Sequence, residues 1–251
     1  MEGINQATYS SLLIETEPGE IRAMVFDKPA DQNPAILEIS GELNVQLLSA
    51  HKIFRQNYIE VKLSVQTDRF SVIPDAFFDA SRLEPVAQVS FGFDEKKDEI
   101  LFSPIRELGV TTVFAIDKPV FSKIKEVFPQ AIFFHSSKPF LLSVFNPQAP
   151  LTLYVQLGGK FVELTIMSGE KLIFYNLFFI LEIEDAVYHV LNVCKTLKIQ
   201  NDTIQVELLY EDNNKLFSDW LSKFYPNFQS VKSASRLKCP TVSLLNLNKC
   251  E

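Results

Sequence analysis

From Tyr58 to Thr67 apolar and polar side chains alternate without a break. Ile59, Val61, Leu63 and Val65 share one face, and Glu60, Lys62, Ser64 and Gln66 share the other. Side chains of a strand point alternately to its two faces, so this segment predicts a half-buried β-strand. Upstream, Leu12 to Thr16 and Ile21 to Phe26 flank Glu17-Pro18-Gly19-Glu20 and predict a hairpin. A polar loop, Lys28 to Pro34, leads to a third strand near Ile36 to Ser40. Asn44 is placed to cap a helix carrying Leu47, Leu48, His51 and Phe54 on one face. Strands are predicted at Phe70 to Ile73 and Ile100 to Ile105, with short helices between Asp75 and Phe91. The largely apolar run Val110 to Ile116 predicts a buried central strand. Asp117 and Pro119 then open a helix with Val120, Phe121, Ile124, Val127 and Phe128 on one side, stopped by Pro129. A strand at Ala131 to Phe134 and a helix at Lys138 to Phe145 complete this half.

Asn146-Pro147-Gln148-Ala149-Pro150 breaks both helix and sheet and predicts a boundary. Beyond it three strands follow in a meander: Leu151 to Leu157, Phe161 to Met167 and Lys171 to Ile180. A helix over Ile183 to Leu197 repeats apolar residues at Ile183, Ala186, Val187, Val190, Leu191, Cys194 and Leu197. A strand at Ile204 to Tyr210, a helix at Asn213 to Tyr225 and a strand at Phe228 to Val231 close the pattern. The second half reads β-β-β-α-β-α-β. The first reads β-β-β-α, an insertion at about 58–108, then β-α-β-α. The two opening hairpins align, Leu12 to Phe26 against Leu151 to Met167. The expected fold is therefore α/β and duplicated. Subdomains at 1–148 and 149–251 each hold a five-stranded mixed sheet with flanking helices.

Composition narrows the function. The 251 residues are 47% hydrophobic, enough for a sizeable core, and carry a net charge of −7. Lys96-Lys97, flanked by acids, is the longest basic cluster, which argues against nucleic acid and against an anionic membrane surface. No apolar stretch approaches the ~20 residues needed to span a bilayer, so membrane insertion is not expected. No basic start precedes an apolar run, so no secretory signal is expected. Cys194, Cys239 and Cys250 show no metal spacing, and three make a poor disulfide framework, so a reducing cytoplasm is the expected compartment. Glycine occurs only 8 times. Phosphate-cradling loops need glycine for close backbone approach, so the chain is poorly equipped for one.

Other groups have bland readings. His135-Ser136-Ser137 lies at a strand end, where neighbours point to opposite faces, and reads as a cap or turn. His51 reads as a boundary residue of its helix and His189 stands alone on its own. Glu182, Glu184 and Asp185 read as acids complementing a helix N-terminus. Glu211-Asp212-Asn213-Asn214 lacks the spacing of a calcium loop. Cys194 is on a buried stripe and should be inert. Phe77, Phe78, Phe91, Phe93 and Phe102 read mainly as core, with an exposed patch for a partner as the alternative.

Three antiparallel strands followed by alternating helices and strands, twice over, resemble the layout of the actin/Hsp70/sugar-kinase superfamily. Through Val113-Phe114-Ala115-Ile116, Phe133-Phe134-His135-Ser136-Ser137, Leu172-Ile173-Phe174-Tyr175-Asn176 and Glu184-Asp185-Ala186-Val187-Tyr188, the chain also resembles an uncharacterised, Bacteroidetes-type bacterial family with a degenerate form of that fold. Active members of the superfamily carry an Asp-X-Gly loop in each opening hairpin. Its amides hold phosphate and its acid organises Mg²⁺ and water. By that resemblance the vestigial positions here are Glu17 and Gly19 in the first hairpin, and Gln156, Gly158 and Gly159 in the second. Asp is absent from the first, Pro18 removes an amide donor, and Glu17 and Glu20 would repel phosphate. Gln156 stands where the second acid belongs, although two glycines remain. The turn matching the adenosine contact, Leu208 to Asp212, has no glycine. The resemblance thus implies a protein that is not an enzyme, with no catalytic residue, metal or cofactor. It is expected to bind an unknown protein partner or itself as a scaffold. The alternative is a nucleotide- or small-ligand-binding protein, or a divergent ATPase, using the interdomain cleft.

Overall fold

The computed structural model describes residues 9–17, 19–26, 35–41, 45–146, 148–209, 215–231 and 242–250. The chain divides into two compact units. Unit 1 comprises 1–105, 109–139 and 243–251, and unit 2 comprises 106–108 and 140–242.

The first sheet of unit 1 is built from β1 (Tyr9–Glu17), β2 (Glu20–Phe26), β3 (Ala35–Ser40), β4 (Tyr58–Val65) and β8 (Ile132–His135). Their order is β3-β2-β1-β4-β8. The hairpin β1/β2 and the pair β2/β3 are antiparallel, whereas β4 runs parallel to both β1 and β8. Alternation decides the register. Leu12 pairs with Val61 and Ile14 with Leu63, so one face is continuously apolar. That face packs on Phe54, Ile124 and Phe128 in the core of the unit. Each such side chain contributes about 1.5–3 kcal/mol on full burial.

Between β4 and β8 lies a second, antiparallel sheet of β5 (Phe70–Pro74), β6 (Asp98–Ile105) and β7 (Val110–Asp117), with β7 central. Helix α2 (Leu83–Phe91) belongs to this insert, and α3 (Lys118–Val127) follows it. The insertion expected over 58–108 is therefore displaced. Residues 58–65 are a strand of the first sheet, and the insert spans 70–117. The apolar run Val110 to Ile116 does form a buried central strand, but of the small sheet; a run of this kind reports burial on both faces, not which sheet provides it.

The single helix expected to carry His51 and Phe54 is also broken. Helix α1 (Val45–Ala50) stops, His51 is extended with ψ 128°, and a 3₁₀ turn at Lys52–Arg55 follows. Phe54 is fully buried, and its burial outweighs the small gain from continuing a helix. The proposed cap Asn44 and the loop Lys28 to Pro34 lie outside the described residues.

Unit 2 repeats the plan with β9 (Thr152–Leu157), β10 (Phe161–Ser168), β11 (Lys171–Phe179), β12 (Gln205–Leu209) and β13 (Phe228–Val231), in the order β11-β10-β9-β12-β13. Leu153, Val155, Val162 and Leu164 pack on α5 (Ile183–Thr196) and α6 (Lys215–Phe224) through Val190, Phe217 and Leu221. The change of unit falls inside α4 (Ser137–Val144), upstream of the proline-rich stretch, because the apolar residues Phe140 and Leu141 belong with unit 2. Pro147 lies outside the described residues. One element has no forerunner in the sequence reading: α7 (Val242–Leu247), which returns to unit 1. Leu244 and Leu247 are fully buried, and the carbonyl of Asn248 accepts a hydrogen bond from Lys62 Nζ at 3.1 Å.

Candidate functional site

The antiparallel register of β1 and β2 sets Glu15 opposite Arg22, and Glu17 opposite Glu20. One guanidinium thereby serves three acids. Arg22 Nη1 donates to Glu17, Nη2 donates to Glu20 at 3.1 Å, and Glu15 lies 3.6 Å from Nη1. The Arg22 side chain is only 7% exposed, and those of Glu15 and Glu17 are as deeply buried. Burial, followed by the Glu15 charge, pushes the Glu17 carboxyl up to about 8, against the pull of Arg22. The acids of this turn are thus held by an internal cation. Gly19, at φ +82°, occupies the left-handed conformation that closes the turn, and its carbonyl accepts from the Gly41 amide at 2.8 Å. Pro18 lies outside the described residues.

The second hairpin is arranged differently. Gln156 pairs with Glu163 across the ladder, and Glu163 accepts a hydrogen bond from the Tyr175 hydroxyl at 2.5 Å. The Gln156 Oε1 is buried without a hydrogen-bond partner. The Gly158 amide donates to the Phe161 carbonyl at 3.0 Å. A Cβ on Gly158 would fall 2.1 Å from the Phe161 ring, while one on Gly159 would meet nothing. The first of the two glycines is therefore required by a ring packed on its backbone. Gly158→Ala is expected to cost about 1–3 kcal/mol through overpacking. In urea unfolding, Gly158→Ala/Phe161→Leu should lose less than the sum of the two single changes. Strict additivity would place the strain elsewhere.

His135 is fully buried between Phe70 and Phe114, with ring centroids at 4.4 and 5.6 Å. Its Nδ1 accepts from the Ser137 amide at 3.1 Å, so Nε2 carries the proton and donates to the Thr67 carbonyl at 3.0 Å. Burial drives its pKa down to about 4. The Ser137 hydroxyl lies 2.9 Å from that of Thr112. The triplet is a neutral structural clip at a strand end, as its geometry in sequence suggests.

Several other sequence candidates are held by neighbouring groups. The Asp185 carboxylate accepts from the amides of Leu181 and Glu182 at 2.9 and 3.1 Å, completing a capping box that lowers its pKa. His189 stacks on Phe178 at 4.2 Å, and burial raises the pKa of the Cys194 thiol. In the insert Phe93 is buried, yet Phe77 is 81% exposed. Cys239 and Glu211 to Asn214 lie outside the described residues. Among the described residues no three His, Cys, Asp or Glu side chains are placed to hold a metal ion. Among them too, no helix is long and apolar enough to cross a membrane.

A cavity of about 330 Å³ opens in unit 1 beside Glu17, where β1, β4 and β7 end against α3. Gln66, Thr67, Arg69 and Asp117 line it. Of the residues that line it, sequence reading singled out only Glu17 as a site residue, because the others come from segments that only the fold brings together. The available signal was positional: ligands gather beyond the carboxyl ends of parallel strands such as β1 and β4.

A family profile described as "Protein of unknown function (DUF3822)" matches residues 3–235. Among curated proteins none matches. Among solved structures, the chain is similar to a Bacteroides thetaiotaomicron protein with actin-like ATPase fold and unknown function: TM-score 0.82 and 17% identity, covering 100% of both chains. It is also similar to a structure of the PilM-PilN type IV pilus biogenesis complex (TM-score 0.56, 13% identity, covering 95% of this chain and 97% of that one). A third likeness is to AlfA from a B. subtilis plasmid in its filament structure (TM-score 0.51, 9% identity, covering 95% and 98%). The fold is that of the actin-like ATPases.

Proposed function

The chain belongs to the DUF3822 family, and from that premise we propose that it is a cytoplasmic, non-catalytic actin-like module that works by binding protein, its own copies included. The observation that carries this reading is the second hairpin. A neutral Gln156 stands at the acid position, and the Gly158 amide is already engaged by Phe161. Phosphoryl transfer depends on positioned charge and free amides, and this turn lacks the acid and has its first glycine amide already taken up. The first hairpin adds to it, since its acids are taken up by Arg22. Proteins sharing the fold occur in a pilus biogenesis complex and in a filament, which supports an assembly role by analogy of fold alone. Leu181, at 95% exposure, and Phe77 offer apolar contact points.

Melting curves with and without Mg²⁺-ATP, together with phosphate release, test the catalytic half. No phosphate release is expected, and no stabilisation. Ligand present at a hundred times its Kd would add about 2.7 kcal/mol, and a rise of that size, or turnover, would overturn the reading. Sedimentation velocity over a wide concentration range tests the other half, with a rising sedimentation coefficient expected. A monomer at every concentration would remove self-association and leave a different protein as the partner.

A further inference from the structure

The cavity beside Glu17 is a feature that the hairpin turns do not explain. Its volume of about 330 Å³ is near the lower end of the ~300–1,000 Å³ usual for small-molecule sites. Leu63 from β4, Ile116 from β7, and Val120 and Ile124 from α3 give it apolar walls. The polar groups at its rim are unequal in what they have left to offer. Arg69, the cation among the lining residues, is already spent: both its terminal nitrogens bind Asp98, and Asp117 lies 3.7 Å away. Gln66 has its amide oxygen buried with no hydrogen-bond partner, while its backbone N–H is used by the Thr16 carbonyl at 3.0 Å. The Asp117 side chain is 68% exposed at the mouth. What remains unsatisfied is acceptor capacity: the buried Gln66 oxygen, and the exposed Asp117 carboxylate beside an Arg69 that Asp98 engages.

We propose that this cavity binds a small molecule with an apolar body and a cationic, hydrogen-bond-donating head, a primary ammonium being the simplest. An ammonium has three donors and no acceptor. With the Gln66 side chain turned toward the cavity, it would give the amide oxygen its missing partner and lie near the Asp117 carboxylate, while its body displaces water from the apolar walls. An anionic head would meet the Asp117 carboxylate, whose neighbouring cation Arg69 is already engaged by Asp98. The site goes beyond the protein-binding role and does not rest on it.

Three probes sharing one phenol ring separate the possibilities: tyramine with an ammonium head, tyrosol with a hydroxyl, and 4-hydroxyphenylacetate with a carboxylate. Titrated into the full chain by saturation-transfer NMR, tyramine should bind best and the carboxylate worst. About tenfold between them, or about 1.4 kcal/mol, is expected. Val120→Trp should fill the cavity and abolish tyramine binding. Gln66→Leu, a change on the rim, should weaken tyramine about tenfold (~1.4 kcal/mol) with the melting transition retained. The proposal fails if the carboxylate binds as well as the amine, if none of the three binds, or if either folded variant keeps wild-type affinity for tyramine.

Discussion

Arg22→Ala should cost about 3–5 kcal/mol of folding stability at pH 8 and above, where Glu17 ionises, because it leaves Glu15 and Glu17 buried without their cation. The loss should shrink on acidification. Once Glu17 is protonated, its uncompensated charge disappears. The wild-type chain carries the same signature. Glu17 has its native pKa raised from 4.5 to about 8, so the folded state binds the extra proton between those values. Stability from this group is fully present below about pH 4.5 and is lost as pH rises through about 8. Denaturant titrations of wild type and Arg22→Ala at pH 8 and pH 5 check both statements. A penalty under about 1 kcal/mol at both pH values, the range of a surface pair, would mean that the cluster is solvated and weak.

The second large effect has the opposite sign. His135 is buried neutral, with its pKa lowered from 6.5 to about 4. The unfolded chain therefore binds the extra proton first as pH falls. Stability is full above about pH 6.5, declines through the interval and levels off below about pH 4. The drop is worth about 3 kcal/mol. His135→Gln cannot titrate and should flatten this part of the profile. Because Glu17 titrates in an overlapping range with opposite slope, the comparison belongs in a Glu17→Gln background. An equally steep acid limb in Glu17→Gln/His135→Gln would assign the acid sensitivity to other groups.

The fold was legible where apolar residues recur with a period, although in β4 the polar face is buried as well, at Lys62 and Ser64, and Ile59 is exposed. Ile59 to Val65, the stripe from Ile183 to Cys194 and the paired hairpins each impose one secondary structure, and their repetition carries the duplication. Legibility failed where identity depends on distant pairing. The alternation at 58–65 predicts a strand, but only its register with Leu12 and Ile14 shows that it belongs to the first sheet. The run at Val110 to Ile116 likewise reveals burial without revealing its neighbours. Helix α7, six residues long, is too short to show a period. At the candidate site, the missing acid at Gln156 was visible, whereas the Phe161 ring on Gly158 was not, because contact across a turn leaves no spacing signal. Arg22 drew no notice either, since its meaning comes from the cross-strand register with Glu15.

The return of α7 to unit 1 has a consequence for biosynthesis. Unit 1 contains 1–105 and 109–139 and also 243–251, with 140–242 of unit 2 between them. On the ribosome, β1 to β8 emerge well before the side chains of Leu244 and Leu247 that share their unit. A nascent chain halted after Pro139 therefore exposes the seat of α7 until synthesis has passed through the entire second sheet. Order of translation and order of completion are inverted for this unit, whose closing helix is made only after all of unit 2.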